Sequence, residues 1–212
     1  IAIEILKKEY ASNVRNLYQP FDFETIENLK NEFHLDSNYI LAVGNMNNDI
    51  KQIDKLIIAY SESDLPKQKM KLVVLGEGKY KVEYVKFVEK LNLSKLVLFK
   101  GTVQNPFPYY KKALFYVLSS KNEGLSNAII ESLACETPVV SFDCFSGPRE
   151  IIDNHKNGIL VEDQNLNKLI EAMNLMVSDI DLYQHCKRNS LKSIEKFSVK
   201  IIGKQWVAFI ES

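Results

Sequence analysis

Five short runs that are apolar almost throughout constrain this chain more than any other feature. They are Tyr39–Val43 (YILAV), Lys71–Leu75 (KLVVL), Leu96–Phe99 (LVLF), Ala113–Leu118 (ALFYVL) and Pro138–Phe142 (PVVSF). A strand with one wet face alternates apolar and polar residues. A strand buried on both faces does not, and such strands belong to parallel sheets covered by helical crossovers. Between the runs, apolar residues fall at helical spacing: Ile50, Ile53, Leu56, Ile57 and Tyr60, then Tyr80, Tyr84, Phe87, Val88 and Leu91. A helix from about Asn127 to Cys135 precedes the fifth run, Gly158–Val161 reads as a sixth strand, and helices fill most of the remainder. Right-handed crossovers then predict an α/β fold built on an open, doubly wound parallel sheet. Such a sheet binds its ligand outside the carboxyl ends of the strands, so the loops after Val43, Leu75, Phe99, Leu118 and Phe142 carry the chemistry.

Composition narrows the class. The 212 residues hold 27 Lys+Arg against 27 Asp+Glu, a balance that excludes the basic excess of a general nucleic-acid or anionic-membrane binder. The length suits one large α/β domain or, less comfortably, two small ones. No run reaches the ~18 apolar residues of a membrane-spanning helix, and Ile1–Tyr10 has no apolar core of a secretory signal. The first residue is Ile rather than Met, which reads as a fragment or processed product. Cys135, Cys144 and Cys186 have no CxxC spacing and leave an odd one over, the pattern of buried thiols in a reducing, intracellular compartment.

The two ends stand apart from this alternation. Asn13–Asn31 opens with a short strand-like stretch (Val14, Leu17), turns at Pro20 and continues as an amphipathic helix through Phe23, Ile26, Leu29 and Phe33. Phe197–Ile210 reads as a helix carrying the single Trp, Trp206, among Val199, Ile202, Val207 and Ile210. Its apolar surface either closes a face of the sheet or packs on a partner.

Among the loops, Glu123-Gly124-Leu125-Ser126-Asn127 precedes a helix whose free N–H groups and dipole suit a phosphate, with Ser126 or Asn127 as its cap. Glu131 lies about two turns further on, where a carboxylate could accept a ribose diol. The alternative is an exposed helix with two solvated glutamates. Lys51, the last residue of the polar loop Gly44–Lys51, is either a phosphate contact or one solvated lysine among many. Gly76-Glu77-Gly78 makes a tight turn but lacks the third glycine of a dinucleotide fingerprint, since position 81 is Lys. Arg149, in Ser146–Glu150, could clamp an anion or pair with Glu150 or Asp153. His34, His155 and His185 have no metal-ligand spacing, and neither a Ser-His-Asp order nor a G-x-S-x-G elbow is present.

From about Tyr39 to Glu162 the chain resembles the C-terminal, nucleotide-binding half of glycosyltransferase family 4, retaining enzymes of GT-B architecture with a Rossmann-like domain. The match is carried by NEGLSNAIIESLACETPVVSFDCFSGPREIIDNHKNGILV (Asn122–Val161). The AVG loop with its following lysine, LVVLGEG and LVLFKGTVQNPFPYYKKALFYVLSS support it. The resemblance implies that Glu123 and Glu131 are the two glutamates of the family's E-x7-E motif, the first contacting the donor sugar as the catalytic residue and the second holding the donor ribose. It further implies that Gly124, Leu125, Ser126 and Asn127 receive the diphosphate with Asn45 and Lys51, that Lys51 neutralises it as it leaves, and that Thr102, Val103 and Gly76 seat the base. No metal and no cofactor is expected, because lysine and the helix N-terminus supply the positive charge. The implied partners are a nucleotide diphosphate sugar, expected to be UDP-linked, and a glycan or lipid-linked acceptor of bacterial surface polysaccharide or oligosaccharide synthesis. No nucleic acid is expected, and the implied location is the cytoplasm, up to the inner face of the membrane.

Two departures from the family pattern stand out. Asn45 follows Gly44 where the family has an arginine, removing a bidentate phosphate donor that Lys121 or Arg149 would have to replace. Glu136 stands where a turn glycine precedes Thr-Pro, which is harmless if the backbone there keeps φ below zero. The resemblance divides the chain into a linker strand and helix (1–36), a donor-nucleotide domain (37–196) and a C-terminal helix (197–212) directed at an N-terminal acceptor domain that lies outside the chain. Alone, the chain is expected to bind nucleotide weakly and to transfer nothing. A nucleotide-sugar 2-epimerase and a non-catalytic nucleotide-sugar-binding module are the competing readings.

Overall fold

The computed structural model describes residues 17–32, 35 and 38–211. Val14, Phe33 and His34 therefore lie outside the described residues. Two units are distinguished, one of residues 24–194 and one that joins 1–23 to 195–212.

The larger unit holds a six-stranded parallel sheet: β1 (Tyr39–Val43), β2 (Lys71–Leu75), β3 (Val97–Gly101), β4 (Tyr116–Leu118), β5 (Val139–Phe142) and β6 (Gly158–Val161). Its strand order is β3-β2-β1-β4-β5-β6. The helices are α1 (Phe23–Leu29), α2 (Ile53–Glu62), α3 (Lys81–Lys90), α4 (Phe107–Lys112), α5 (Asn127–Ala134), α6 (Pro148–Ile151), α7 (Leu166–Ser178) and α8 (Ile180–Ser193). The doubly wound expectation is therefore met. β1 and β2 occupy the ranges that their apolar runs predict, while β4 begins at Tyr116 rather than Ala113. α2 begins at Ile53 and leaves Ile50 exposed in the preceding loop.

Both sheet faces are buried, and the period of two assigns each residue to one of them. Ile40, Ala42, Leu72, Val74, Val117, Val140 and Phe142 form one core with Leu56, Ile57, Tyr60, Leu169, Met173 and Met176. The intervening Leu41, Val73, Tyr116 and Val139, with Tyr110, Ile129 and Leu133 of α4 and α5, are also buried. The Tyr110 and Tyr116 rings meet edge-on there, with centroids 5.7 Å apart. All three cysteines are free and buried, and burial pushes the Cys135 and Cys144 thiols up to about 12.

Order β3-β2-β1-β4-β5-β6 reverses direction between β1 and β4, and that is where the sheet is least zipped. β1 and β2 pair along five residues, but β1 and β4 share only Leu41↔Tyr116. In open α/β sheets such a reversal is where the ligand crevice lies.

In the smaller unit, a 3₁₀ turn (Glu195–Phe197) leads into α9 (Val199–Ile210), which Ser198 caps through a bond from the Ile201 N–H. Phe21 forms a parallel bridge with Ser198. The Trp206 indole N–H donates to the Tyr18 carbonyl at 3.4 Å. Val199, Ile201, Trp206, Val207 and Ile210 remain exposed on α9.

One expectation is corrected. Glu136 follows α5 with φ +58°, in the left-handed region. It ends the helix as a C′ residue, with the Thr137 N–H donating to the Ser132 carbonyl at 3.0 Å. A non-glycine residue there costs about 1 kcal/mol. Ion pairs offset this: the carboxylate takes Lys111 and lies 3.7 Å from Lys30, itself only 4% exposed, and Lys111 holds the Glu136 carboxyl below its usual value. Glu136→Gly should therefore be the more stable of two variants, exceeding Glu136→Ala by about 1 kcal/mol, or 2–4 °C in Tm for a domain of this size. Equal melting temperatures would contradict the strain argument.

Candidate functional site

The crevice between β1 and β4 gathers much of what the sequence proposed. After β1, the chain runs through Gly44 to Lys51 before entering α2. A Cβ on Gly44 would stand 2.9 Å from Lys51 Cγ, so the lysine stem lies across a glycine. After β4, Ser119 Oγ donates to the Lys51 carbonyl at 2.8 Å and lies 3.2 Å from that of Gln52. The Lys121 N–H donates to the Ile50 carbonyl at 2.9 Å. These bonds tie the two loops together, and Lys51 Nζ meets Glu123 Oε1 at 2.5 Å across the switch point, with the side chains 24% and 10% exposed. A half-desolvated ion pair of this kind is costly to break by removing one partner alone.

The turn that carries Glu123 is held from the β5 side. Asn122 forms a parallel bridge with Phe145. Ser146 (φ +64°) and Gly147 (φ +83°) then bring the chain against it. A Cβ on Gly147 would fall 1.8 Å from the Gly124 carbonyl oxygen, a contact no side chain can make. Gly124 is different: a Cβ there would meet nothing within 4 Å. The chain itself needs glycine at 147, whereas at 124 glycine only keeps space open.

Ser126 is the N-cap of α5, but its side chain makes no capping bond, and its buried Oγ finds no partner among the described residues. Such an orphaned hydroxyl costs roughly 1–3 kcal/mol. Asn127 is exposed, and Leu125 is partly buried. Because α5 begins at Asn127, Glu131 stands just over one turn into it, not two. Its carboxylate accepts a hydrogen bond from Tyr110 Oη at 3.2 Å. Burial raises its pKa, and the tyrosine bond opposes that rise.

Asn45, Gly76 and Thr102 line a cleft of ≈ 550 Å³ with Val43, Gly44, Asn47, Glu77 and Gly78. Gly76 has φ +126°, and a Cβ on it would stand 2.0 Å from the Gly44 carbonyl oxygen, so the β1 and β2 loops close on each other through this glycine. Asn45 Oδ1 accepts from the Asn47 N–H at 2.6 Å, a local turn rather than a replacement for an arginine. Val103 is partly buried and does not line this cleft.

The two auxiliary cations already have anionic partners. Lys121 Nζ binds Asp49 Oδ2 at 2.5 Å. Arg149 makes a two-pronged bond to Asp143, at 2.9 and 2.7 Å. That partner was not among those the sequence suggested, and Asp153 instead takes Lys156. Sequence reasoning also missed Tyr110, because nothing in its local spacing reveals a bond to a residue 21 positions away. No group of three metal-ligating side chains occurs among the described residues.

The model of the family described as Glycosyl transferases group 1 matches residues 24–193. The chain belongs to that family. It is 35% identical over 187 residues, 86% of its length and 50% of the relative's, to the N-acetylgalactosamine-N,N'-diacetylbacillosaminyl-diphospho-undecaprenol 4-alpha-N-acetylgalactosaminyltransferase of Campylobacter jejuni. It is 28% identical, over 94% of its length and 40% of the relative's, to the poly(ribitol-phosphate) alpha-N-acetylglucosaminyltransferase of Staphylococcus aureus. It thus spans about half the length of the curated relatives it matches. Its fold superposes with a TM-score of 0.84 on a mutant of S. aureus TarM solved with fondaparinux, alpha-GlcNAc-glycerol and UDP, at 24% identity over 99% of this chain and 42% of the other. Anabaena HepE in complex with UDP gives 0.82 at 19% identity, over 98% of this chain and 60% of that one. No helix among the described residues is long and apolar enough to cross a membrane.

The two glycines of the Glu123 turn separate fold from ligand space. Gly147→Ala should lower Tm by at least about 4 °C, since backbone must move to admit the methyl, whereas Gly124→Ala should stay within about 2 °C of wild type. Equal effects of the two substitutions on thermal unfolding would contradict this division.

Proposed function

We propose that this chain is the donor-binding half of a retaining glycosyltransferase that moves a sugar from a nucleotide diphosphate sugar, UDP-linked, to a glycan or lipid-linked acceptor of bacterial surface polysaccharide or oligosaccharide synthesis. The observation that carries the reading is the meeting of Lys51 and Glu123 at 2.5 Å across the β1–β4 switch, beside the N-terminus of α5. The UDP present with TarM and HepE and the acceptors in the relatives' names support the donor and acceptor classes.

In this reading the diphosphate rests on the backbone N–H groups of Gly124–Asn127. The α5 dipole favours its charge, and the Ser126 hydroxyl supplies a further donor. Lys51 swings or bridges from Glu123 to the phosphate and balances the charge that grows on the leaving group. Relieved of its lysine, the Glu123 carboxylate accepts hydrogen bonds from hydroxyls of the donor sugar. Glu131 takes the ribose diol, and the cleft with Gly76 and Thr102 takes the base. Positive charge comes from Lys51 and the helix, so transfer proceeds without a metal. Asn45 contributes an amide where the family pattern has a guanidinium, and donor affinity is correspondingly modest. The acceptor binds an N-terminal domain in the whole enzyme, which works in the cytoplasm at the inner face of the membrane. The exposed apolar face of α9, with Trp206, packs on that domain.

Calorimetric titration with UDP, GDP and ADP tests the reading. UDP should bind, and Gly124→Ala and Glu131→Gln should each weaken it by about tenfold or more, ~1.4 kcal/mol, while both variants remain folded. No binding of any nucleotide at millimolar concentration, or unchanged UDP affinity in both variants, would overturn it.

A further inference from the structure

We infer that Tyr110 is a positioning residue for Glu131, aiming through its hydroxyl the carboxylate that takes the donor ribose. The inference rests on the role proposed for Glu131 above. Tyr110 lies within α4, is fully buried, and is held at three points. Its carbonyl accepts from Thr137 Oγ1 at 2.6 Å and from the Ala113 N–H at 3.1 Å, and its ring lies edge-on against Tyr116. Thr137 is itself fixed to α5, since Ser132 Oγ donates to the Thr137 carbonyl at 2.8 Å. The frame that ends α5 therefore also sets the distance between Tyr110 and Glu131, a residue of that same helix.

Within this frame the Tyr110 hydroxyl reaches Glu131 Oε2 at 3.2 Å. No described side chain donates to Oε1, so the tyrosine holds one oxygen and leaves the other to a ligand. A carboxylate side chain rotates freely unless something fixes it, and ligand geometry tolerates only about 0.5 Å of slack. The same bond has an electrostatic consequence. Burial raises the Glu131 pKa and the Tyr110 bond lowers it, so the hydroxyl helps keep the carboxylate ionised. The other titratable groups around this cluster are Tyr116 of β4, Glu123, and Cys135 just past α5, which is itself flanked by Lys30, Lys111 and Glu27. Burial keeps Tyr110, Tyr116 and Cys135 neutral near pH 7, and Glu123 is balanced by Lys51.

Tyr116 supplies an internal control. Its buried hydroxyl finds no partner among the described residues, although its ring packs on that of Tyr110. Removing one hydroxyl should therefore affect Glu131, and removing its neighbour should not.

The test is calorimetric titration with UDP from pH 5 to pH 8 on wild type, Y110F, Y116F and E131Q, with Tm measured for each. An ionised Glu131 accepts hydrogen bonds from both ribose hydroxyls, so affinity falls as pH drops through the Glu131 pKa. Y110F should weaken UDP about three- to tenfold at the alkaline end of that range and should move the acid-side loss of affinity to higher pH. Y116F should keep affinity within about twofold and leave the pH midpoint unchanged. A second variant, Y110M, guards against a failure of Y110F to fold and should show the same losses. Wild-type affinity and midpoint in Y110F, with E131Q weakened, would overturn the positioning role alone. Wild-type affinity in E131Q would overturn the ribose role of Glu131 and this inference with it.

Discussion

The contact between Lys51 and Glu123 is the interaction on which the rest of the site depends. One residue follows β1, the other follows β4, and these strands share a single paired position before they diverge. Nothing local to either loop would hold the two side chains together. Their meeting at 2.5 Å requires the Ser119 and Lys121 bonds to the β1 loop, the Lys51 stem crossing Gly44, and Gly147 seated on Gly124. The pair also keeps the crevice near charge balance. A diphosphate adds negative charge to that balance, and the lysine is the group placed to answer it, with the α5 N-terminus as the fixed complement.

Polar satisfaction is uneven across the sheet. At the far end of α5, Ser132, Thr137 and Lys30 all have partners. Around the crevice, the Ser120, Ser126 and Tyr116 hydroxyls are buried without partners among the described residues, and Glu131 is desolvated. Unfavourable terms gathered at the carboxyl edge of a sheet are stability given up where a ligand can return it. On the proposed reading, the diphosphate reaches the Ser126 hydroxyl and the ribose reaches Glu131. The Tyr116 hydroxyl has no such role, and its cost has no evident compensation.

The sheet was legible because its strands are buried on both faces. Uniform apolarity marked Tyr39–Val43 and Lys71–Leu75 to the residue, and the same signal overran β4, where Ala113–Phe115 is buried but not yet paired as strand. Glu123, Glu131 and Lys51 were legible as a pattern, by their places after strands and by resemblance. What the sequence withheld are the long-range pairings: Asp143 for Arg149, Asp49 for Lys121 and Tyr110 for Glu131. Each joins segments whose proximity only the folded sheet creates. Glu136 was misread for a related reason. Its left-handed backbone is compensated by Lys111 and Lys30, neither of which is a neighbour in sequence.

A crystal structure of the chain with UDP bound tests the central claim most directly. The account predicts the diphosphate on the Gly124–Asn127 amides, Lys51 Nζ turned from Glu123 toward a phosphate oxygen, and both ribose hydroxyls on Glu131. UDP seated away from the β1–β4 crevice, or with its ribose remote from Glu131, would contradict it.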